Sequence, residues 1–143
     1  MLIHSAPIKQ AHAVRLTPGG DLAAEISALL DSLEIRFGTV SVIGALSRAT
    51  LGAYSFTDKH YTKFDIDHEI EILNCTGNVS ELDGKTFAHL HMTVSGHNGA
   101  AVGGHVFEGC TIKVAECVVL EFDAPPPVRE LDAETGLKLW PVK

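Results

Sequence analysis

The chain has 143 residues, 45% hydrophobic and 20% charged, enough for one domain with one core. Its 18 acidic residues against 11 basic give a formal net charge of −7, and no two basic residues are adjacent; a phosphate-neutralising stripe is excluded, and direct DNA binding is not expected. No apolar run is long enough to span a membrane, and the opening Met-Leu-Ile-His-Ser-Ala-Pro lacks a signal-peptide pattern, so the expectation is a cytoplasmic protein with reduced cysteines.

A first strand is predicted over Ala11–Leu16. Thr17-Pro18-Gly19-Gly20 then breaks the chain, and Asp21 can cap a helix. From Asp21 to Leu33 the apolar residues Leu22, Ile26, Leu29, Leu30 and Leu33 fall on one helical face. Everything beyond reads as strands: Thr39–Leu46 and Ala49–Phe56 joined near Ser47-Arg48, then Ile70–Thr76, Thr86–Val94, Ala101–Phe107 and Thr111–Phe122. Gly77-Asn78, Asp83-Gly84, Gly96 to Gly99 and Gly109 are the expected turns, and Pro125-Pro126-Pro127 stiffens the way to a short strand through Leu139-Trp140. Closely spaced sequential strands with one long helix predict a single α+β domain over residues 1–143, with about seven strands in a mainly antiparallel sheet.

Histidines concentrate in two of these strands. His89-Leu90-His91 places two imidazoles on one face, because side chains at i and i+2 of a strand point the same way. A hairpin turn centred on His97 would set His89 directly opposite His105, with His91 on the diagonal. Gly103-Gly104 could form a bulge there, or allow a ligand or a neighbouring backbone to come close. Three neutral imidazoles on one face bind zinc and leave a fourth position open. The plainer reading is three packed histidines bonded to main chain. Cys75, Cys110 and Cys117 have no CxxC spacing, which excludes a cysteine zinc ribbon.

Glu116 interrupts the alternating series Ile112, Val114, Val118, Leu120, Phe122. A carboxylate on an apolar face needs a partner, because an unpaired buried charge is costly. It could close a metal's coordination, orient a histidine or serve as a general acid or base; the plainer reading is an ion pair with Arg129 or Arg48.

In this order, Glu71-Ile72-Leu73, Thr76-Gly77-Asn78, Asp83-Gly84, His89-Leu90-His91, Gly103-Gly104-His105, Ala115-Glu116-Cys117-Val118 and the Arg129 to Gly136 tail resemble the plant and prokaryote conserved (PPC) domain, the module that follows AT-hooks in plant nuclear proteins. The resemblance runs from about Ala11 to Leu139. It implies a seven-stranded antiparallel sheet and a homotrimer around a three-fold axis. It does not imply DNA binding, since no Arg-Gly-Arg-Pro hook is present; where plant members carry a GRFEIL-like segment for partners, this chain has His68-Glu69-Ile70-Glu71-Ile72-Leu73. Three functions follow as expectations. The first is a homotrimer holding a divalent metal, zinc, or a small-molecule ligand at His89, His91 and His105. The second is a metal-assisted hydrolase or lyase using Glu116, and the third a DNA- or transcription-associated assembly module without metal.

Overall fold

In the computed structural model, which describes residues 1–142, the chain runs β1 (Ile8–Arg15), α1 (Leu22–Ser32), β2 (Gly38–Ser55), β3 (His60–Ile66), β4 (Ile70–Leu82), β5 (Lys85–Ser95), β6 (Ala101–Val106), β7 (Thr111–Phe122), β8 (Glu130–Leu131) and β9 (Lys138–Leu139). Seven strands make one antiparallel sheet in the order β1-β7-β2-β4-β5-β6, with β3 on β2, while β8 and β9 pair separately. The α+β reading holds.

Strand β2 is the organising element. The expected break at Ser47-Arg48 is absent, and one 18-residue strand runs through. Its first half lies between β7 and β4. Its second half carries β3 and returns to β6 at Leu51↔Val106 and Gly52↔His105. Strands β2, β4, β5 and β6 thus close a ring, which removes one sheet edge and pins β6, the strand that carries His105.

Helix α1 closes one face. Leu22, Ile26 and Leu30 are fully buried among Val40, Val42, Val79, Met92 and Val119, each contributing about 1.5–3 kcal/mol by burial. Asp21 holds the helix start: Oδ1 accepts from the N–H groups of Ala23 and Ala24 at 3.1 Å, and Oδ2 from those of Gly109 and Cys110 at 2.8 and 3.0 Å. One carboxylate both caps the helix and stitches it to the β6–β7 connection. The three cysteines are buried and unpaired, and burial pushes the Cys75 thiol up to about 12.

Of the two turns expected around β4, one forms and the other does not. Asp83-Gly84 is the tight hairpin turn, with φ of 50° and 76°, the paired positive angles of a type I′ turn. Gly77-Asn78, by contrast, lies inside β4. A Cβ at Gly77 would collide with the main-chain oxygen of His89, so glycine there permits close strand approach, not a turn.

Candidate metal centre

The hairpin of β5 and β6 centres on Asn98, not His97, so its register differs by two residues from the sequence expectation. His91 lies directly opposite His105, and His89 sits on the diagonal. A two-residue shift preserves the face, and all three imidazoles meet on the side of the sheet away from α1. Ring centroids are 5.1 Å apart for His89–His91, 5.0 Å for His89–His105 and 5.3 Å for His91–His105. One nitrogen of each ring lies within 4.8 Å of one nitrogen of both others. A tetrahedral ion about 2.1 Å from each would set them roughly 3.4 Å apart. The rings therefore need to draw in by a small side-chain rotation only.

The ladder through Gly103-Gly104 has no bulge. A Cβ on Gly104 would lie 2.5 Å from the carbonyl oxygen of Gly52, and one on Gly103 2.6 Å from that of Met92. These glycines serve neighbouring backbone, not a ligand.

The electrostatics suit neutral imidazoles. Burial, then the Arg129 guanidinium and the neighbouring rings, lower His89 to about 4. Burial, then His91, Arg129 and Lys63, lower His105 to about 4. Both rings are held in the neutral form at neutral pH, the form that can ligate a cation. His105 Nδ1 is buried with no hydrogen-bond partner, a cost that a bound metal or a small shift of the ring would relieve. Arg129 Nη2 donates to His89 Nδ1 at 3.4 Å, which puts the His89 hydrogen on Nε2; ligation through Nε2 would require that hydrogen to move to Nδ1 and the Arg129 contact to be given up.

These shifts fix a pH dependence for the metal-free protein. Both rings have folded pKa values below the ordinary 6.5, so the unfolded chain binds more protons as pH falls. Stability is fully present above about pH 6.5 and drains away as pH drops toward 4. Discounted for partial solvation, the two rings together account for about 2 kcal/mol. Thermal melts of chelator-treated protein should show the midpoint falling between pH 6.5 and 4.5, and falling less in the His89→Phe, His105→Phe double variant.

Glu116 does not join the group. On β7 the residues between Val114↔Ala45 and Ile112↔Leu46 form a bulge, and one extra residue reverses which side chains face inward. Ala115, Cys117 and Val119 are buried, while Glu116 is exposed. Its register partners are Ile43 and Arg15; β2 and β4 separate its strand from β5, about 14 Å at ordinary strand spacing. Neither expected ion pair forms: Arg48 meets Asp67 at 3.7 Å, and Arg129 lies elsewhere.

Arg129 is the site residue whose place the sequence did not show. It is 8% exposed. Nε donates to Ser80 Oγ at 2.9 Å, Nη1 to the Lys138 carbonyl at 3.1 Å, and Nη2 to Asn78 Oδ1 at 2.8 Å. The rings of Phe87 and Trp140 flank it at 5.2 and 5.6 Å. Trp140 thus covers the domain's own arginine. A cleft of about 180 Å³ opens between Arg129, His89, His105, Tyr61 and the tail leucines Leu137 and Leu139.

Residues 3–123 match the Plants and Prokaryotes Conserved (PCC) domain. A structure described as a metal-containing protein from Archaeoglobus fulgidus superposes with a TM-score of 0.94 at 33% identity, covering 99% of this chain and 100% of that one. A plant- and prokaryote-conserved protein of Pyrococcus horikoshii superposes with a TM-score of 0.93 at 25% identity, covering 100% and 99%. The bifunctional protein GlmU of a Synechococcus strain is 36% identical over 128 residues, or 87% of this chain and 19% of that protein. The chain therefore spans about a fifth of the length of the curated relatives it matches.

Proposed function

The chain belongs to the Plants and Prokaryotes Conserved domain family, and on that premise we propose that it is a homotrimer whose working centre is a divalent-metal site, zinc, held by His89, His91 and His105. The observation that carries this reading is the convergence of three ring nitrogens within 4.8 Å, two of them on imidazoles kept neutral by burial. The metal-containing relative in Archaeoglobus fulgidus supports it. An all-imidazole donor set favours zinc over calcium or magnesium, which take oxygen. When bound, the ion would supply a Lewis-acidic position open to water or a ligand. Elemental analysis of untagged protein tests the reading: one zinc per chain is expected, and a metal-free preparation that also fails to take up zinc on titration would defeat it.

The trimer rests on the exposed apolar side of the sheet. Ile43, Leu73, Val114 and Val118 are 55%, 51%, 38% and 45% exposed on the neighbouring strands β2, β4 and β7. Clustered apolar surface of this kind marks an interaction site, and two further copies of this chain are the proposed cover. Light scattering should give about three times the 15.3 kDa chain mass at micromolar concentration; a monomer would count against it.

DNA is not the proposed partner. With a net charge of −7 and scattered basic residues, duplex affinity at physiological salt should be weaker than about 10⁻⁴ M. Sub-micromolar, salt-dependent anisotropy changes would reverse that conclusion. GlmU activity is not carried over, since the matched segment is 19% of that protein.

A further inference from the structure

A buried guanidinium ordinarily has a carboxylate beside it, because removing a charge from water without a counter-charge is expensive. Arg129 has none. Among the described residues its acceptors are all neutral: a serine hydroxyl, an asparagine oxygen, a main-chain carbonyl and a histidine nitrogen. None of the salt bridges includes it. Those contacts take one hydrogen of Nη1 and leave the other without a partner.

The surroundings add to the excess of positive charge. Lys63 Nζ sits 4.0 Å over the Phe107 ring, which packs against His105 at 4.9 Å. Lys138, at the rim, is already paired with Asp83 at 2.6 Å. Among the described residues the cleft lining contains no carboxylate, and its remaining walls are Tyr61 and the apolar Leu82, Phe87, Leu137 and Leu139. Arg129, Leu137 and Leu139 come from the tail that follows β7, so folding back of this segment builds that side of the cleft.

We infer that the cleft binds a short-chain aliphatic carboxylate, its anionic head at Arg129 beside the three histidines and its carbon tail against Leu82, Phe87, Leu137 and Leu139. The inference rests on the metal reading above, since the ion supplies the second positive charge at the head. With four of its five hydrogens already placed, Arg129 offers the remaining Nη1 hydrogen for one charge-assisted bond to a carboxylate oxygen. The apolar walls favour an acid with a hydrocarbon tail over inorganic phosphate, which would leave them unused. The volume of about 180 Å³ is roughly that of six waters, which suits an acid of about four carbons.

The test is calorimetric titration of zinc-loaded protein with sodium butyrate, with acetate and inorganic phosphate as separate arms and zinc content measured on each sample. Butyrate should saturate at one per chain and bind more tightly than acetate or phosphate. Arg129→Gln should keep its zinc and bind butyrate roughly ten- to hundredfold more weakly. Leu139→Trp, a change at a half-buried tail position, narrows the cleft without touching Arg129 or the histidines; it should weaken butyrate several-fold and leave acetate nearly unchanged. This second variant keeps the test decisive should Arg129→Gln fail to fold. A chain that holds no zinc would overturn the metal reading and this inference with it. Zinc-loaded protein that does not bind butyrate, that prefers phosphate, or whose Leu139→Trp variant binds butyrate as tightly as wild type would overturn this inference alone.

Discussion

Replacing His91 with alanine should cost the protein its zinc while leaving its fold nearly untouched. His91 lies directly opposite His105 and diagonal to it is His89, so its removal takes one of three converging donors. Loss of a residue that merely orients a metal ligand costs about 10- to 100-fold in affinity, and loss of a ligand should exceed that. The side chain is exposed, unlike those of His89 and His105. Its truncation therefore opens no cavity, and the expected stability change is within about 0.5 kcal/mol. His105→Ala would be a poorer test, because His105 packs against Tyr61 and Phe107 at 5.0 and 4.9 Å, and metal loss would be mixed with lost packing. The measurement is zinc per chain after dialysis against a weak competitor, paired with melts with and without zinc. Wild type should gain stability as zinc rises above its dissociation constant, about 2.7 kcal/mol at a hundredfold excess. His91→Ala should gain none, while His97→Ala, at the exposed hairpin tip, should behave as wild type. Equal occupancy in His91→Ala and wild type would end the three-histidine assignment.

How far the sequence reached depended on whether a feature was local. The helix was legible because its periodicity and its Asp21 cap lie within a dozen residues, and the structure places it at Leu22–Ser32. The histidine face was legible because strand alternation survives a register error of two. Glu116 shows the opposite case: one bulge, specified by pairing between β7 and β2, reverses the faces beyond it, and nothing within Thr111–Phe122 announces it. Strand β3 escaped detection because only Ile66 of its seven residues is buried; its pairing along β2 makes it a strand, not a pattern of its own. Arg129 was invisible as a site residue for a topological reason. Val128 bridges to Glu81, and the Arg129 amide donates to the Glu81 carbonyl at 2.9 Å, so the arginine reaches Asn78 and His89 only once the tail has folded back along β4.

Adding a single methyl group at Gly104 should damage both the fold and the metal centre. Gly104 sits in β6 opposite Met92 of β5, with the backbone of Gly52 of β2 across its other side. An alanine Cβ would stand 2.5 Å from the Gly52 oxygen and 3.1 Å from its carbonyl carbon and nitrogen. These are backbone atoms, which no rotamer change can move aside. The strand behind them cannot retreat freely either, since Gly52 already packs against the carbonyl oxygen of Thr62, 2.7 Å from where its own Cβ would be. The methyl group must therefore push β6 away from β2, weakening the closure of the ring and straining the nearby bond from the Phe107 amide to the Thr50 carbonyl at 3.1 Å. Overpacking of this kind costs about 1–3 kcal/mol, or a melting point lower by roughly 5–10 °C at this chain length. The adjacent residue is His105, so the same displacement carries the third imidazole away from its partners, and zinc affinity should fall with stability. Gly96→Ala is the matched control: its Cβ meets nothing closer than His68 Nε2 at 3.5 Å, and it should melt and bind zinc as wild type does. If Gly104→Ala also matches wild type in both measurements, the closure of β6 onto β2 is not what holds His105 in place.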